Sequence, residues 1–216
     1  MLTKKDIRFC LDTMGEMFPD AHCELNHENP FDLLIAVLLS AQTTDVNVNR
    51  VTTDLFKKYR TPEDYLSVDV TELENDIKSI GLFRTKAKNI QKLCQTLLDE
   101  HDGHVPTTRD ELVKLAGVGR KTANVVVSVA FNEPAIAVDT HVERVAKRLA
   151  FCRWKDSVLQ VENTLMKKIP KDEWSVSHHR FIFFGRYHCK AANPNCLECP
   201  LLTVCREGEK RMKKIN

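Results

Sequence analysis

With 216 residues, 43% hydrophobic side chains and no low-complexity tract, the chain can bury a sizeable core as one domain or two small lobes. Its apolar runs, 33–39 and 125–131, are too short to span a bilayer, and residues 1–12 carry charge and helical spacing rather than the apolar core of a secretory leader. A net charge of +2 is a weak argument for a polyanionic partner, so any such argument rests on where the cations sit.

Helix signals dominate the chain in order. Thr3 can cap a first helix ending near Phe18-Pro19. Asn29-Pro30 sets a cap and then a proline at the first helical position, leading into 31–41, and Thr61-Pro62 repeats the device. Asp69 with Glu72, and Thr108 with Glu111, have capping-box spacing, while Gly81 and Gly103 fall where helices should stop. Ile77 and Ile80, then Ile90, Leu93, Leu97 and Leu98, keep the three-to-four spacing of a face packed on a core. Arg84, Lys86, Lys88 and Lys92 recur at near-helical spacing, which suits a solvated face as well as a phosphate-contacting one.

The stretch 112–127, LVKLAGVGRKTANVVV, predicts a helix ending near Leu115, a hairpin Ala116-Gly117-Val118-Gly119, and a second helix from about Arg120. Two glycines allow a tight turn with no side chains over it. The first amides of the following helix have no internal partner, so the corner can hold an anion such as a phosphate. Arg120 and Lys121 oppose the helix dipole there, and an anionic partner would supply the reason for them. Lys121 is expected to be partly desolvated near that positive helix end, which is how an amine becomes a nucleophile near neutral pH.

Residues 125–131 and 136–138 are rich in β-branched side chains; their context favours helix for the first, and a strand is conceivable in the second. Asp139 opens a helix over 142–149, and plain capping would explain it. A carboxylate near a nucleophilic lysine is also the pair needed to displace a base from deoxyribose. His178 and His179 precede an aromatic helix, 181–187, and look structural; Trp154 and Trp174 show no role beyond packing. Cys10, Cys23, Cys94 and Cys152 lie in apolar neighbourhoods as buried small hydrophobes.

Cys189, Cys196, Cys199 and Cys205 form a C-x6-C-x2-C-x5-C run. Four thiols so close together can meet at one metal centre with little loop entropy. Zinc sites usually pair two C-x2-C knuckles and only one is present, so the uneven spacing suits a [4Fe–4S] cluster better; disulfides fit a cytosolic chain less well. The tail around them carries Lys190, Arg206, Lys210, Arg211, Lys213 and Lys214 against three glutamates. These signals predict an all-α protein of about ten helices. No flexible linker divides it, so two lobes would share an interface rather than a tether.

With GVGRKTANVV, VDTHVERV and the four-cysteine pattern in that order, the chain closely resembles the endonuclease III family, the iron–sulfur DNA glycosylases and abasic-site lyases of the helix-hairpin-helix superfamily. The resemblance runs over essentially the whole length. It implies a two-lobed fold: a helical barrel over residues 22–132 that contains the hairpin, and a cluster lobe of residues 1–21 plus 133–216, with a pocket between. Lys121 would be the Schiff-base nucleophile, Asp139 the carboxylate that activates it, and the four cysteines the cluster ligands.

By the same resemblance, Gln42 in SAQTTD fills the space left by a flipped nucleotide and Leu82 in SIGLFRTKA wedges the opposite strand, although a helix-end amide and a core leucine are their ordinary readings. Gly117, Gly119 and Arg120 would contact the DNA backbone; His141 could join them or be structural. The implied partner is damaged double-stranded DNA bearing oxidised pyrimidines, such as thymine glycol, or abasic sites. The implied setting is a monomer in the cytoplasm, associated with the nucleoid and with no membrane. The family's hairpin commonly reads Leu-Pro-Gly-Val-Gly, and Ala116 stands here in the proline position, which loosens the turn entry.

A monofunctional adenine-mismatch glycosylase would lack Lys121 and carry a further domain beyond the cluster. A non-catalytic metal-containing DNA-binding module would keep the glycines without needing Lys121 and Asp139 together. An electron carrier would leave most of the helical chain unexplained.

Overall fold

The computed structural model describes residues 2–213; Lys214 of the basic tail lies outside them. Among the described residues there are twelve α-helices and no strand. In order they are α1 (Lys4–Met17), α2 (Pro30–Ser40), α3 (Asp45–Lys58), α4 (Pro62–Leu66), α5 (Val70–Asp76), α6 (Phe83–His101), α7 (Arg109–Leu112), α8 (Arg120–Ala130), α9 (Thr140–Arg148), α10 (Val158–Lys168), α11 (Trp174–Phe183) and α12 (Arg206–Met212). Residues 136–138 are buried and belong to neither a helix nor a strand. The chain divides into two compact units, one of Met1–Cys23 with Pro134–Asn216 and the other of Glu24–Glu133.

The continuous unit, 24–133, is organised around α2. Residues 31–39 are all buried, so this helix is enclosed on every side rather than amphipathic. Its start is set by Asn29, whose side chain accepts from the Asp32 amide at 2.9 Å, and by Pro30 at the first position. Helices α3, α6 and α8 pack against it, α4 and α5 pack on α6, and α7 on α8. Asp69 caps α5 through the Thr71 amide rather than through a box with Glu72, because Glu72 is drawn instead to Lys58 (2.7 Å). Gly81 does not end a helix: it lies between α5 and the Leu82 cap of α6. The hairpin's first helix stops at Leu112, three residues early, because residues 113–118 turn more tightly, with the amides of Leu115 and Val118 reaching back to Leu112 and Leu115 (both 3.1 Å).

The discontinuous unit has its own core, including Met14, Val142, Val145, Phe151, Phe181 and Phe184. In it α9 packs against α10, α11 and α12, and α1 packs against α11. The Phe151 and Phe181 rings meet edge to face at 5.2 Å. Helix α11 continues into a π-helical turn, Phe184–His188, which delivers the chain to Cys189. Cys10 and Cys152 are buried here and Cys94 in the other unit, whereas Cys23 is only half-buried. Trp174 packs on this core and donates to the Ile169 carbonyl at 3.0 Å, but Trp154 is 65% exposed and is not a packing residue.

Candidate active site and cysteine loop

In the continuous unit the hairpin glycines have different roles. Gly117 has φ of 78°, and a Cβ there would lie 2.9 Å from the Asn89 side chain, so backbone and space both require glycine. Gly119 has φ of −90° and a Cβ there would meet nothing within 4 Å. It caps α8 with no side-chain hydrogen bond, and the first turn has no acidic residue. The leading amides of α8 therefore face open space with Arg120 and Lys121 beside them, which is an anion site by construction. The Lys121 side chain makes no hydrogen bond or ion pair among the described residues. It is exposed, so the chain does not supply the desolvation expected for it.

Gln42 and Leu82 also lie in this unit, each at an exposed tip, Leu82 at 58%. Both have left-handed backbones, with φ of 57° and 59°. For residues with a Cβ this costs roughly 1–2 kcal/mol each. The two tips are neighbours: the Gly81 amide donates to Thr43 Oγ1 at 3.2 Å, and a Cβ on Gly81 would stand 3.1 Å from the Gln42 carbonyl oxygen. Lys86, expected on a solvated or phosphate-contacting face, is instead buried, and its Nζ donates to the carbonyls of Leu39 (2.9 Å) and Ala41 (2.6 Å) and to Thr43 Oγ1 (3.4 Å). Burial lowers the proton affinity of its amine. Arg84 and Lys88 remain exposed and Lys92 does too.

In the discontinuous unit Asp139 is the N-cap of α9. Its Oδ1 accepts from the His141 amide (2.9 Å) and the Val142 amide (2.8 Å). Oδ2 takes no hydrogen bond among the described residues. Capping thus uses only one of the two carboxylate oxygens. His141 is half-buried; Arg144 Nη2 donates to its Nδ1 at 3.1 Å, and since a guanidinium cannot accept, the ring proton sits on Nε2. Burial holds His141 below the usual histidine range against the opposing charge of Asp139, and the Arg144 and Arg186 charges add smaller lowering effects. Arg144 also donates to the carbonyls of Gly185 (2.7 Å) and Cys189 (3.2 Å), so a continuous chain of contacts runs from the Asp139 cap to the first cysteine of the run. Sequence reasoning passed over Arg144 and Arg148, because an arginine on a helix gives no sign of which distant loop it will hold.

Arg148, buried in α9, grips the cysteine loop: Nη1 donates to the Lys190 carbonyl (2.7 Å) and reaches Cys189 Sγ (3.4 Å), and Nη2 donates to the Ala191 carbonyl (2.9 Å). Cys189, Cys196, Cys199 and Cys205 all line one small cavity, with Arg148, Leu149 and Phe184 among its other walls. No group of three ligand side chains converges on a single ion among the described residues. Burial pushes Cys199 up to about 11 and raises Cys196 and Cys205. Against that, Cys205 Sγ accepts from the Gly208 amide at 3.3 Å. Four soft donors spread around a shared cavity, with cationic and amide donors already turned toward two of the sulfurs, fit a polynuclear iron–sulfur group. His178 and His179 belong to α11, His178 fully buried, with their rings 4.9 Å apart.

Among the described residues, an all-helical chain joins an uncapped Gly-x-Gly hairpin to a clustered cysteine loop. Residues 35–171 match the family model of the HhH-GPD superfamily of base excision DNA repair proteins. The chain is 70% identical to endonuclease III of Bacillus subtilis (strain 168) over 214 residues, 99% of this chain and 98% of the relative. It is 47% identical to endonuclease III of Escherichia coli (strain K12) over 200 residues, 93% of this chain and 94% of that one. Its backbone superposes with a TM-score of 0.96 on a trapped endonuclease III–DNA covalent intermediate, 72% identical, covering 98% of this chain and 100% of that one. The chain belongs to the HhH-GPD superfamily and, within it, to the endonuclease III family, and it acts as a DNA glycosylase and abasic-site lyase. No helix among the described residues is long and apolar enough to cross a membrane.

Proposed function

We propose that this chain removes oxidised pyrimidines, thymine glycol among them, from double-stranded DNA and nicks the resulting abasic site through an imine on Lys121. The observation that carries the reading is Lys121 itself: an exposed, unpaired amine in the first turn of a helix whose leading amides are open. The covalent endonuclease III–DNA complex of a 72%-identical relative supports the same chemistry.

The hairpin amides and Arg120 bind a phosphate near the lesion and hold the strand. An oxidised pyrimidine has lost ring aromaticity and stacks poorly, so it flips out at lower cost than an intact base. Gln42 fills the vacated position and Leu82 props the opposite strand. The neutral amine of Lys121 adds to C1′ as the bond from C1′ to the base breaks, and the departing base anion takes a proton from water. Asp139 Oδ2 accepts the proton that the new ammonium sheds, and its charge stabilises the electron-poor sugar on the way. Ring opening gives the imine. Loss of a C2′ proton then expels the 3′ phosphate oxygen and cuts the strand 3′ to the lesion, and water hydrolyses the imine to free Lys121. His141, held by Arg144, is suited to contact a phosphate or the flipped nucleotide through Nε2–H.

Cys189, Cys196, Cys199 and Cys205 would hold a [4Fe–4S] cluster, which when bound cross-links the C-terminal segment and has no part in the bond-making steps. With the loop so fixed, Lys190 and the basic tail present positive charge to the DNA backbone. The protein acts as a monomer in the cytoplasm, at the nucleoid. Borohydride trapping on a duplex with one abasic site tests the reading, with wild type beside Lys121→Ala. A covalent adduct that disappears in the variant is expected. Absence of any adduct from wild-type protein that still binds the duplex would move the monofunctional reading ahead.

A further inference from the structure

The tips that carry Gln42 and Leu82 are each strained, exposed and short of local support. Helix α2 ends at Ser40, whose carbonyl accepts from the Thr43 amide at 3.1 Å, and no glycine or asparagine follows to close it with a left-handed turn of low cost. A side chain from α6 takes the carbonyls on either side of Ser40. Lys86 Nζ has three N–H donors, and three acceptors surround it: the carbonyls of Leu39 and Ala41 and the hydroxyl of Thr43. Ala41 and Thr43 are the two residues that flank Gln42. The same lysine's backbone amide donates to the Leu82 carbonyl at 3.0 Å, as the first hydrogen bond of α6. Thr43 Oγ1 completes the link by accepting from the Gly81 amide at 3.2 Å. One residue is therefore bonded to both sides of one tip and to the backbone of the other.

We infer that Lys86 is a positioning residue, a buried clamp that fixes the Gln42 and Leu82 tips relative to each other so that the two side chains enter a duplex together. The inference rests on the proposed insertion of Gln42 and Leu82. Had the lysine served only to end α2, a local cap would have done so without reaching across to α6. A surface role is closed to it, since its ammonium is fully committed to the protein. The charged form suits the place: a cation at a helix C-terminus complements the dipole of α2. What the clamp adds for function is register. Insertion needs both tips at the same moment and depth, and a small misplacement of a positioned group can cost about 100-fold in rate.

The test compares Lys86→Met and Thr43→Val with Gln42→Ala, Leu82→Ala and the combined variants. The readouts are single-turnover cleavage of an abasic-site duplex and the fluorescence of a purine analogue placed opposite the site, which reports unstacking. Thermal melting and affinity for undamaged duplex serve as controls. The clamp predicts that Lys86→Met cuts the cleavage rate and the unstacking signal by about 10-fold or more, with both controls near wild type. Thr43→Val should move the same readouts by less. Added to Gln42→Ala/Leu82→Ala, Lys86→Met should cost nothing further, because there is no longer anything to position. Wild-type cleavage by Lys86→Met, alongside slow Gln42→Ala and Leu82→Ala, would overturn the clamp and leave insertion standing. Wild-type cleavage by Gln42→Ala and Leu82→Ala would remove the insertion reading and the clamp with it. A further loss in the triple variant would show that Lys86 acts by another route. Should Lys86→Met melt early, Thr43→Val alone and on the Gln42→Ala/Leu82→Ala background decides the question.

Discussion

In the proposed mechanism Asp139 satisfies two demands with one side chain. Its Oδ1 accepts both amides at the start of α9, which is the ordinary role of an aspartate N-cap, while Oδ2 is left over. The roles are separable because only the second needs the charge. Asp139→Asn should keep both capping bonds, melt within experimental error of wild type and lose nearly all borohydride-trapped adduct. Asp139→Ala should lose the adduct and also about 1 kcal/mol of stability. Equal destabilisation by both substitutions, read from denaturant midpoints, would mean that the cap depends on charge and that the separation fails. Lys86 teaches the opposite lesson about reading residues. In the sequence it is one of four cations at near-helical spacing, indistinguishable from Arg84, Lys88 and Lys92. Its burial is set by acceptors on another helix, and no local pattern reports that.

At the scale of elements, the start of α8 was legible because two glycines and two cations have few uses together there. The glycines' separate roles were not. Gly117 is required by its positive φ and by Asn89, a residue from α6 that the sequence cannot bring close, whereas Gly119 keeps a surface open. Gly117→Ala should therefore destabilise the fold by about 1–2 kcal/mol from backbone strain alone, seen as a lower melting temperature. Gly119→Ala should melt like wild type and bind duplex more weakly, since its methyl group would stand where a phosphate approaches. A filter-binding or anisotropy titration of both variants distinguishes them. Caps were legible wherever the partner is three residues away, as at Thr3, Asn29 and Thr61. They were misread where a partner from elsewhere competes: Glu72 pairs with Lys58 across the unit and not with Asp69. The tips at Gln42 and Leu82 gave no backbone signal, because neither left-handed position carries a glycine. Only the resemblance singled those residues out.

For the whole molecule, the all-helical fold and the order of its motifs were readable over the full length, since caps, prolines and apolar spacing all agree on helix. Stability against acid was not readable, because it depends on which histidines the fold buries. Burial, assisted by the positive charge of His22, pushes His179 down to about 4. Unfolded, its value is about 6.5. Between those limits the unfolded chain takes up a proton that the folded chain refuses, so this contribution is intact above about pH 6.5 and is lost as the pH falls toward 4. Urea midpoints at pH 7.5 and pH 5 should differ by up to about 2 kcal/mol on this account, and His179→Gln should flatten the difference. An unchanged slope in the variant would assign acid sensitivity to other groups. The division of the chain also sets an order of events during synthesis. Residues 24–133 leave the ribosome as one uninterrupted stretch and can fold as soon as they are out, whereas α1 emerges before them and must wait for α11, more than 150 residues later, before it has a surface to pack on. A helix made early is thus among the last to find its place, and until then its apolar face is a natural handhold for a chaperone.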